Sequence, residues 1–232
     1  MVARHDARKQ KKLAKQKVKR LEKRARERRR DSLDPAIRLQ GAEKWPVLRA
    51  LVSTRLWENG IGHMVIARQE GEGRLVFGVY LVDVFCLGVK NAFWRAGSMA
   101  DFKDLVQKMG ETLELVPVTP ACLVKIIQGA VEYAASLDFP PHPDYRHAAR
   151  LLAGIDPSAC DQEFRFGKDG KPLYIQGPNE SFAVAQAIMR RVEDAGGHFI
   201  IGGPVSDAGE FADFDDAQFE PGFFEDEDPA DE

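Results

Sequence analysis

Residues Arg74 to Cys86 read RLVFGVYLVDVFC, and this almost uninterrupted apolar stretch decides the fold. Valine recurs through it, and Gly78 lies in its interior; both features favour a strand over a helix. A strand this apolar is typical of one that is covered on both faces. The stretch therefore predicts a strand at the centre of a packed domain.

The segments on either side of this stretch predict the rest of a sheet. Residues 61–69 are a second apolar segment, and Glu70-Gly71-Glu72-Gly73 separates it from the first, so the two segments predict a β-hairpin. Residues 47–54 are interpreted as a strand beside that hairpin. The chain is expected to leave the sheet at residues 87–90.

Helical periodicity dominates the next part of the chain. Residues 119–137 carry apolar side chains at helical spacing, and further helices are expected at 99–109 and 145–153. A second hairpin around residues 167–171, a helix at 180–195 and a strand at 198–201 follow. Because strands and helices are largely segregated along the chain, we predict an α+β fold: a single domain with an antiparallel sheet and several packed helices.

The charge is concentrated at the two ends of the chain. Residues 1–30 contain 15 Lys and Arg against 3 Asp and Glu, a net charge of +12. Residues 207–232 contain 12 Asp and Glu and no Lys or Arg, a net charge of −12. These shifts predict a basic arm at 1–31, helical or disordered, a globular domain at 32–206, and an acidic, Phe-rich disordered tail at 207–232.

The basic arm predicts a polyanionic partner: RNA, DNA or a ribosome. Arginine dominates its last third and suits phosphate groups. The residues expected to bind nucleic acid are Arg20, Lys23, Arg24, Arg26, Arg28, Arg29 and Arg30. The alternative is a solvated arm without a specific partner. The tail is expected either to bind a protein partner or to act only as a solubilising segment.

Asp83 is the single carboxylate in the central stretch, and alternation places it among large apolar side chains. A buried carboxylate is costly unless it is paired or protonated. The structural interpretation is that Asp83 binds backbone amides or pairs with a cation such as Lys90. The functional interpretation is a metal-binding or acid–base carboxylate at a strand end.

A second group of candidate residues lies at 140–147, which reads PPHPDYRH. His142, Asp144 and His147 are residue types that serve as metal ligands and as acids or bases. Their spacing matches no zinc motif, and a structural interpretation makes Asp144 the N-cap of the helix that follows. A site that combines these three residues with Asp83 is the catalytic alternative.

Cysteine usage and hydropathy narrow the protein class. Cys86, Cys122 and Cys160 are odd in number and form no CxxC pattern, so neither a disulfide framework nor a cysteine zinc site is expected. No apolar run approaches the roughly 20 residues of a membrane span, and no apolar segment of a secretory signal follows the basic N-terminus. We therefore expect a cytoplasmic protein with no membrane partner, no cofactor and no metal.

Two stretches, GVYLVDVFCLGVKNAF and DFPPHPDYRHA, resemble signatures of an uncharacterised family of bacterial proteins. The resemblance covers roughly residues 45–180 and neither arm, and it implies a bacterial cytoplasmic origin but no activity.

Three functions remain open at the level of sequence. The first is a non-enzymatic module that associates with nucleic acid or a ribonucleoprotein through its basic arm. The second is a metal-dependent hydrolase or nuclease that uses Asp83 with the His142–His147 loop. The third is a protein-interaction adaptor whose two arms carry all of the binding.

Overall fold

The computed structural model describes residues 39–201, except residues 72 and 178–179, together with the isolated positions Lys15, Val18, Lys19 and Leu21. The predicted nucleic-acid-binding residues of the arm and the acidic tail at 207–232 lie outside the described residues.

Between residues 39 and 201, the described chain contains strands and short to medium helices. The strands are β1 Val47–Ser53, β2 Ile61–Gly71, β3 Arg74–Asp83, β4 Gly88–Gly97, β5 Leu115–Pro117, β6 Leu173–Ile175 and β7 His198–Ile200. The α-helices are α1 Leu56–Asn59, α2 Met99–Gly110, α3 Pro120–Ala135, α4 Tyr145–Ala148 and α5 Phe182–Asp194.

Five of these strands form one antiparallel sheet in the order β4-β3-β2-β1-β5. β2 and β3 form the predicted hairpin, and the register pairs Ile66 with Gly78. The predicted first strand, β1, pairs with the other edge of β2, and β5 pairs with β1. The α+β fold class predicted from the sequence is confirmed.

Both faces of β3 are covered, as its apolar sequence predicts. On one face, Val76, Tyr80 and Val82 belong to the main core, which includes the buried side of α3. On the other face, Leu75, Phe77 and Val79 pack with three buried side chains of α2: Phe102, Leu105 and Met109. The sheet is therefore a central layer between α2 and α3.

The two main helices begin where the sequence predicts. Ser98 caps α2 in a capping box with Asp101, each side chain accepting a hydrogen bond from the other residue's backbone N–H. Thr119 caps α3 and is followed by Pro120 at the first helical position.

Buried Arg68 ties two flanking segments to the sheet. Its guanidinium donates hydrogen bonds to the carbonyl oxygens of Leu151 at 2.7 Å, Ala153 at 2.6 Å and Trp45 at 2.7 Å, with a longer one to Glu43 at 3.4 Å. Neutral carbonyls on two segments thus solvate a charge that is only 2% exposed.

The prediction that the chain leaves the sheet at residues 87–90 is wrong. A turn at residues 84–87 instead returns the chain into the fourth strand, β4. The register between β3 and β4 advances two residues on β4, from Val89 to Asn91, for one on β3, from Val82 to Leu81. Lys90 is the extra residue of a β-bulge, and it breaks the alternation that would mark a strand in the sequence.

The second predicted hairpin is only partly present. Asp169 and Gly170 form a tight turn with positive φ angles of 53° and 80°, closed by a single bridge between Lys168 and Lys171. The segments that flank this turn do not pair with each other. Instead, β6 pairs in parallel with β7, and α5 connects the two strands as a small β-α-β unit, here called the C-terminal unit.

The prediction that the cysteines form no disulfide is also wrong. Cys122, in the first turn of α3, is bonded to Cys160, and their Cα atoms are 5.0 Å apart. The two residues are 38 positions apart, so spacing alone did not reveal the pair. Cys86 is the buried free thiol of the described residues. No described helix has the length and apolar character needed to cross a membrane.

Candidate functional site

Asp83 lies at the end of β3 and holds the turn that leads into β4. Its Oδ1 accepts hydrogen bonds from the backbone N–H groups of Phe85 and Cys86, both at 2.9 Å. Burial raises the pKa of Asp83 to about 6, while Lys90 and the backbone N–H groups of the turn act in the opposite direction. The structural interpretation of Asp83 accounts for these contacts, since the carboxylate organises the β3–β4 turn.

Lys90 does not form its ion pair with Asp83, because its ammonium group contacts Glu180 instead. The Lys90 Nζ to Glu180 Oε1 distance is 2.8 Å, and both side chains are about one-fifth exposed. The hydroxyl of buried Tyr174 and the backbone N–H of Gly177 donate to the other carboxylate oxygen, Oε2. Burial opposes ionisation of Glu180, but the hydrogen bonds from Lys90 and Tyr174 hold its pKa below the usual range.

This polar cluster, formed by Lys90, Tyr174 and Glu180, joins the C-terminal unit to the edge strand of the main sheet. Lys90 and Glu180 are 90 positions apart, and no motif in the sequence links them. Nearby Cys86 is fully buried, and burial together with the charge of Asp83 raises the pKa of its thiol to about 12. A thiol held protonated in this way is a poor nucleophile.

The loop at 140–147 lies against β4, because the backbone N–H of His142 donates to the carbonyl of Val89 at 2.9 Å. The His142 Nδ1 accepts from the backbone N–H of Asp144 at 3.3 Å, and the Nδ1 to carboxylate distance is 3.8 Å. The His147 Nε2 accepts from Arg146 at 3.0 Å. These contacts are local and hold the shape of the loop.

Asp144 occupies the predicted N-cap position of the helix that begins at Tyr145, but it does not act as a side-chain cap. Its backbone has helical angles, with φ −73° and ψ −16°, and its side chain makes no capping hydrogen bond. The helix is also shorter than predicted, since α4 passes into a 3-10 turn at Ala149–Leu151.

Within the described part of the chain, no three His, Cys, Asp or Glu side chains are grouped so that they could hold a metal ion. Asp83, His142, Asp144 and His147 are all described, and they do not form such a group. The metal-dependent alternative therefore has no assembled ligand set among these residues.

A small polar cleft lies at one end of the sheet, between β1, α1 and the connection from α2 to β5. Its volume is about 140 Å³, below the roughly 300–1,000 Å³ of pockets that enclose drug-sized ligands. Its lining includes Ser53, Thr54, Arg55, Asn59, Thr112 and Glu114. The cleft suits water or a small ion better than an organic substrate.

The two strongly charged segments of this chain lie outside residues 39–201, which are here called the body. Residues 39–201 contain 17 Lys and Arg against 19 Asp and Glu, a net charge of −2, so the +12 and −12 segments are separate from them. Lys15, Val18, Lys19 and Leu21 of the arm are helical and exposed. The side chains of Val18 and Leu21 are more than half exposed, so the apolar positions described in the arm do not pack on the body.

The chain matches no protein-family model, no curated protein and no solved structure at a significant level. The resemblance of residues 45–180 to an uncharacterised bacterial family therefore rests on the two quoted stretches alone.

Proposed function

We propose that the protein is a non-enzymatic module that binds nucleic acid or a ribonucleoprotein through its basic N-terminal arm. The observation that carries the proposal is the separation of charge: 15 Lys and Arg in residues 1–30, next to a body with a net charge of −2. The exposure of Lys15, Val18, Lys19 and Leu21 supports it, because an arm that leaves its side chains in solvent can present them to phosphates.

The arm is suited to contact phosphates and not to read bases. It contains no Phe, Tyr or Trp that would stack on a base, whereas arginine pairs well with phosphate oxygens. Binding should therefore show little sequence preference and a steep dependence on salt. If about 6–10 cations engage phosphates of a duplex, the slope of log K against log salt should be near −5 to −9.

Fluorescence anisotropy with a labelled duplex over a salt series tests this proposal. The test variant changes five arm residues to Gln: Arg24, Arg26, Arg28, Arg29 and Arg30. We expect the salt slope to become shallower by about 4 and the affinity near 0.1 M salt to fall at least about tenfold.

The matched control changes five exposed cations of the body to Gln: Lys44, Lys103, Arg165, Lys168 and Lys171. It removes the same charge and should leave both slope and affinity within about twofold, since non-contacting charges release few counterions. Equal losses in both variants would place the binding surface on the body. No binding by the unchanged protein at low salt would favour the adaptor function.

We place the protein in the cytoplasm as part of the same proposal, on the strength of the bacterial resemblance. Thiols are kept reduced in most cytoplasms, so Cys122 and Cys160 are expected as a dithiol in the cell and as a disulfide after isolation in air. Trapping the thiols in acid before lysis, followed by alkylation and mass spectrometry, distinguishes the two states. A fully oxidised pair in freshly trapped cells would argue against this location.

A further inference from the structure

Exposed apolar side chains are concentrated in the C-terminal unit. Eight large apolar side chains are exposed among the described residues, and five of them lie between residues 175 and 201. Their exposed fractions run from 38% for Ile175 to 68% for Phe182. We call these five residues the apolar patch: Ile175, Phe182, Val184, Ile200 and Ile201.

The topology of the unit brings these residues to one end of it. Ile175 and Ile200 are register partners at the carboxyl ends of the parallel strands β6 and β7. A helix that connects two parallel strands runs back along them, so its first turn lies near those same ends. Phe182 is the first residue of α5, and Ile201 directly follows β7. The five residues therefore lie at the same end of the unit, with Ile175 and Ile200 on the strand face turned away from α5 and with Phe182 and Val184 on the first turn of α5.

Packing within the unit does not use this surface. The opposite face of the two strands carries Tyr174 and Phe199, which pack with Ala185, Met189 and Val192 of α5. Residues 181–189 carry no charged side chain, although six of the nine are exposed on the body's surface. A helix surface facing only water is normally charged, so an uncharged apolar one marks a contact surface.

The chain itself supplies a segment that fits this surface. The last described residue is Ile201, at the patch, and the acidic tail follows it. The tail contains five phenylalanines within 14 residues: Phe211, Phe214, Phe219, Phe223 and Phe224. The ten residues from Ile201 to Phe211 span up to about 35 Å when extended, which is ample for the chain to fold back.

The charged residues at the start of α5 and along it also favour the acidic tail as the segment that covers the patch. The side chain of Glu180 is held by Lys90, Tyr174 and Gly177, so it does not oppose an acidic segment at the start of α5. The next charges along α5 are Arg190 and Arg191, both positive and both exposed. The first charges that follow Phe182 along α5 are therefore cations, which favour an acidic segment with aromatic side chains over a basic one.

We propose that residues 211–224 of the tail dock on the apolar patch of the same chain, with phenylalanine side chains covering Phe182, Ile175 and Ile200. This inference is independent of nucleic-acid binding, since it involves neither the basic arm nor its ligand. It gives the tail a fixed location on the body, whichever partner the arm binds.

Methyl NMR on the full chain with labelled isoleucine δ1 groups tests the contact directly. The comparison is between the unchanged protein and a variant in which all five tail phenylalanines are replaced by Ala. Phenylalanine rings shift nearby methyl resonances, so the signals of Ile175, Ile200 and Ile201 should move. Those of the buried core residues Ile66 and Ile126 should stay in place. Unchanged signals at all three patch residues would overturn the proposal.

The same spectra separate docking within one chain from docking between chains. Docking in cis predicts patch signals that do not change with protein concentration. Signals that move with concentration would show that the tail of a second copy occupies the patch, and would contradict docking in cis. The spectrum of the five-Ala variant also reports whether the body is still folded.

Cleavage by chymotrypsin provides a second measurement. Docking should protect the tail phenylalanines, and Phe182→Asp should raise their cleavage rate about fivefold or more, because cleavage follows the population of the open form. The matched control is Met99→Asp, which changes another exposed apolar residue at the start of α2. The control should leave the rate within about twofold. Equal rates in the unchanged protein and Phe182→Asp would contradict the proposal.

Discussion

Asp83 and Arg68 are two buried charged residues of the described sheet, and each binds the backbone of a neighbouring segment. Asp83 accepts from two backbone N–H groups of the turn after β3. Arg68 donates to carbonyl groups of two segments that flank the sheet, one at Trp45 and the other at Leu151 and Ala153. Because these partners are main-chain groups, each charge fixes the path of the chain more directly than it would through another side chain.

The raised pKa of Asp83 should make its contribution to stability depend on pH. Its pKa is about 6 in the fold, against an ordinary value of 3.8, so the contribution is complete below about pH 3.8 and is lost as the pH rises through 6. Asp83→Asn cannot titrate. Urea unfolding should therefore show the variant gaining about 2 kcal/mol relative to the unchanged protein between pH 4 and pH 7.

A matched variant separates titration from hydrogen bonding at this site. Asp83→Ala also removes the acceptor for the N–H groups of Phe85 and Cys86. It should be less stable than Asp83→Asn by about 1–3 kcal/mol at both pH values. A stability difference between Asp83→Asn and the unchanged protein that is constant with pH would show that Asp83 titrates normally.

Arg68→Met should be strongly destabilising, because it keeps the volume of the side chain but leaves buried carbonyl groups without donors. We expect a loss of about 3–5 kcal/mol in urea unfolding, the scale of breaking a buried charge network from one side. Arg68→Lys should lose less, since an ammonium group can still reach some of the carbonyls. Arg49→Met, at an exposed position of β1, is the control and should change stability by less than about 0.5 kcal/mol.

At the scale of the elements, local sequence patterns correctly predicted the features that interactions between neighbouring residues form. The apolar run of β3, the helical segments of α2 and α3 and the tight turn at Asp169-Gly170 all depend on neighbouring residues, and all were recognised. β4 was not, because the bulge at Lys90 places Val89 and Ala92, three residues apart, in the same core. A period of two residues does not show across such a bulge.

Long-range pairs could not be read from the sequence in the same way. The disulfide spans 38 residues and the Lys90–Glu180 ion pair spans 90, and both depend on how complete elements pack. The parallel pairing of β6 with β7 replaced the predicted hairpin for the same reason. Phe164 and Phe166 contact Trp57 by their rings and so pack on α1 instead of forming a strand beside β6.

Gly88, the first residue of β4, should not tolerate a side chain. Its φ is 68°, and an added Cβ would lie 2.9 Å from the carbonyl oxygen of Ala130 and 2.8 Å from the Cβ of Ala134, both in α3. Gly88→Ala should therefore cost about 2 kcal/mol or more in chemical unfolding. Gly110→Ala is the control, because nothing lies within 4 Å of its added Cβ and alanine favours the end of α2. Destabilisation of the two variants by the same amount would contradict this packing.

At the scale of the whole molecule, two oppositely charged ends are attached to a nearly neutral body. The arm and the tail carry +12 and −12, so attraction between them competes with any polyanion that binds the arm. Because both belong to one chain, the tail acts at the effective concentration of a tethered ligand, which is typically in the millimolar range. The tail is therefore expected to weaken binding of nucleic acid without touching it.

Deleting residues 207–232 should tighten the binding of a duplex, and most strongly at low salt. Screening is weak near 0.01 M salt, where the Debye length is about 30 Å, and we expect a gain of roughly tenfold there. Near 0.3 M salt the gain should be less than about twofold. The variant with all five tail phenylalanines changed to Ala keeps the charge of −12, so its affinity should match that of the full chain. If this variant instead bound as tightly as the deletion, aromatic docking and not charge would be the source of the inhibition.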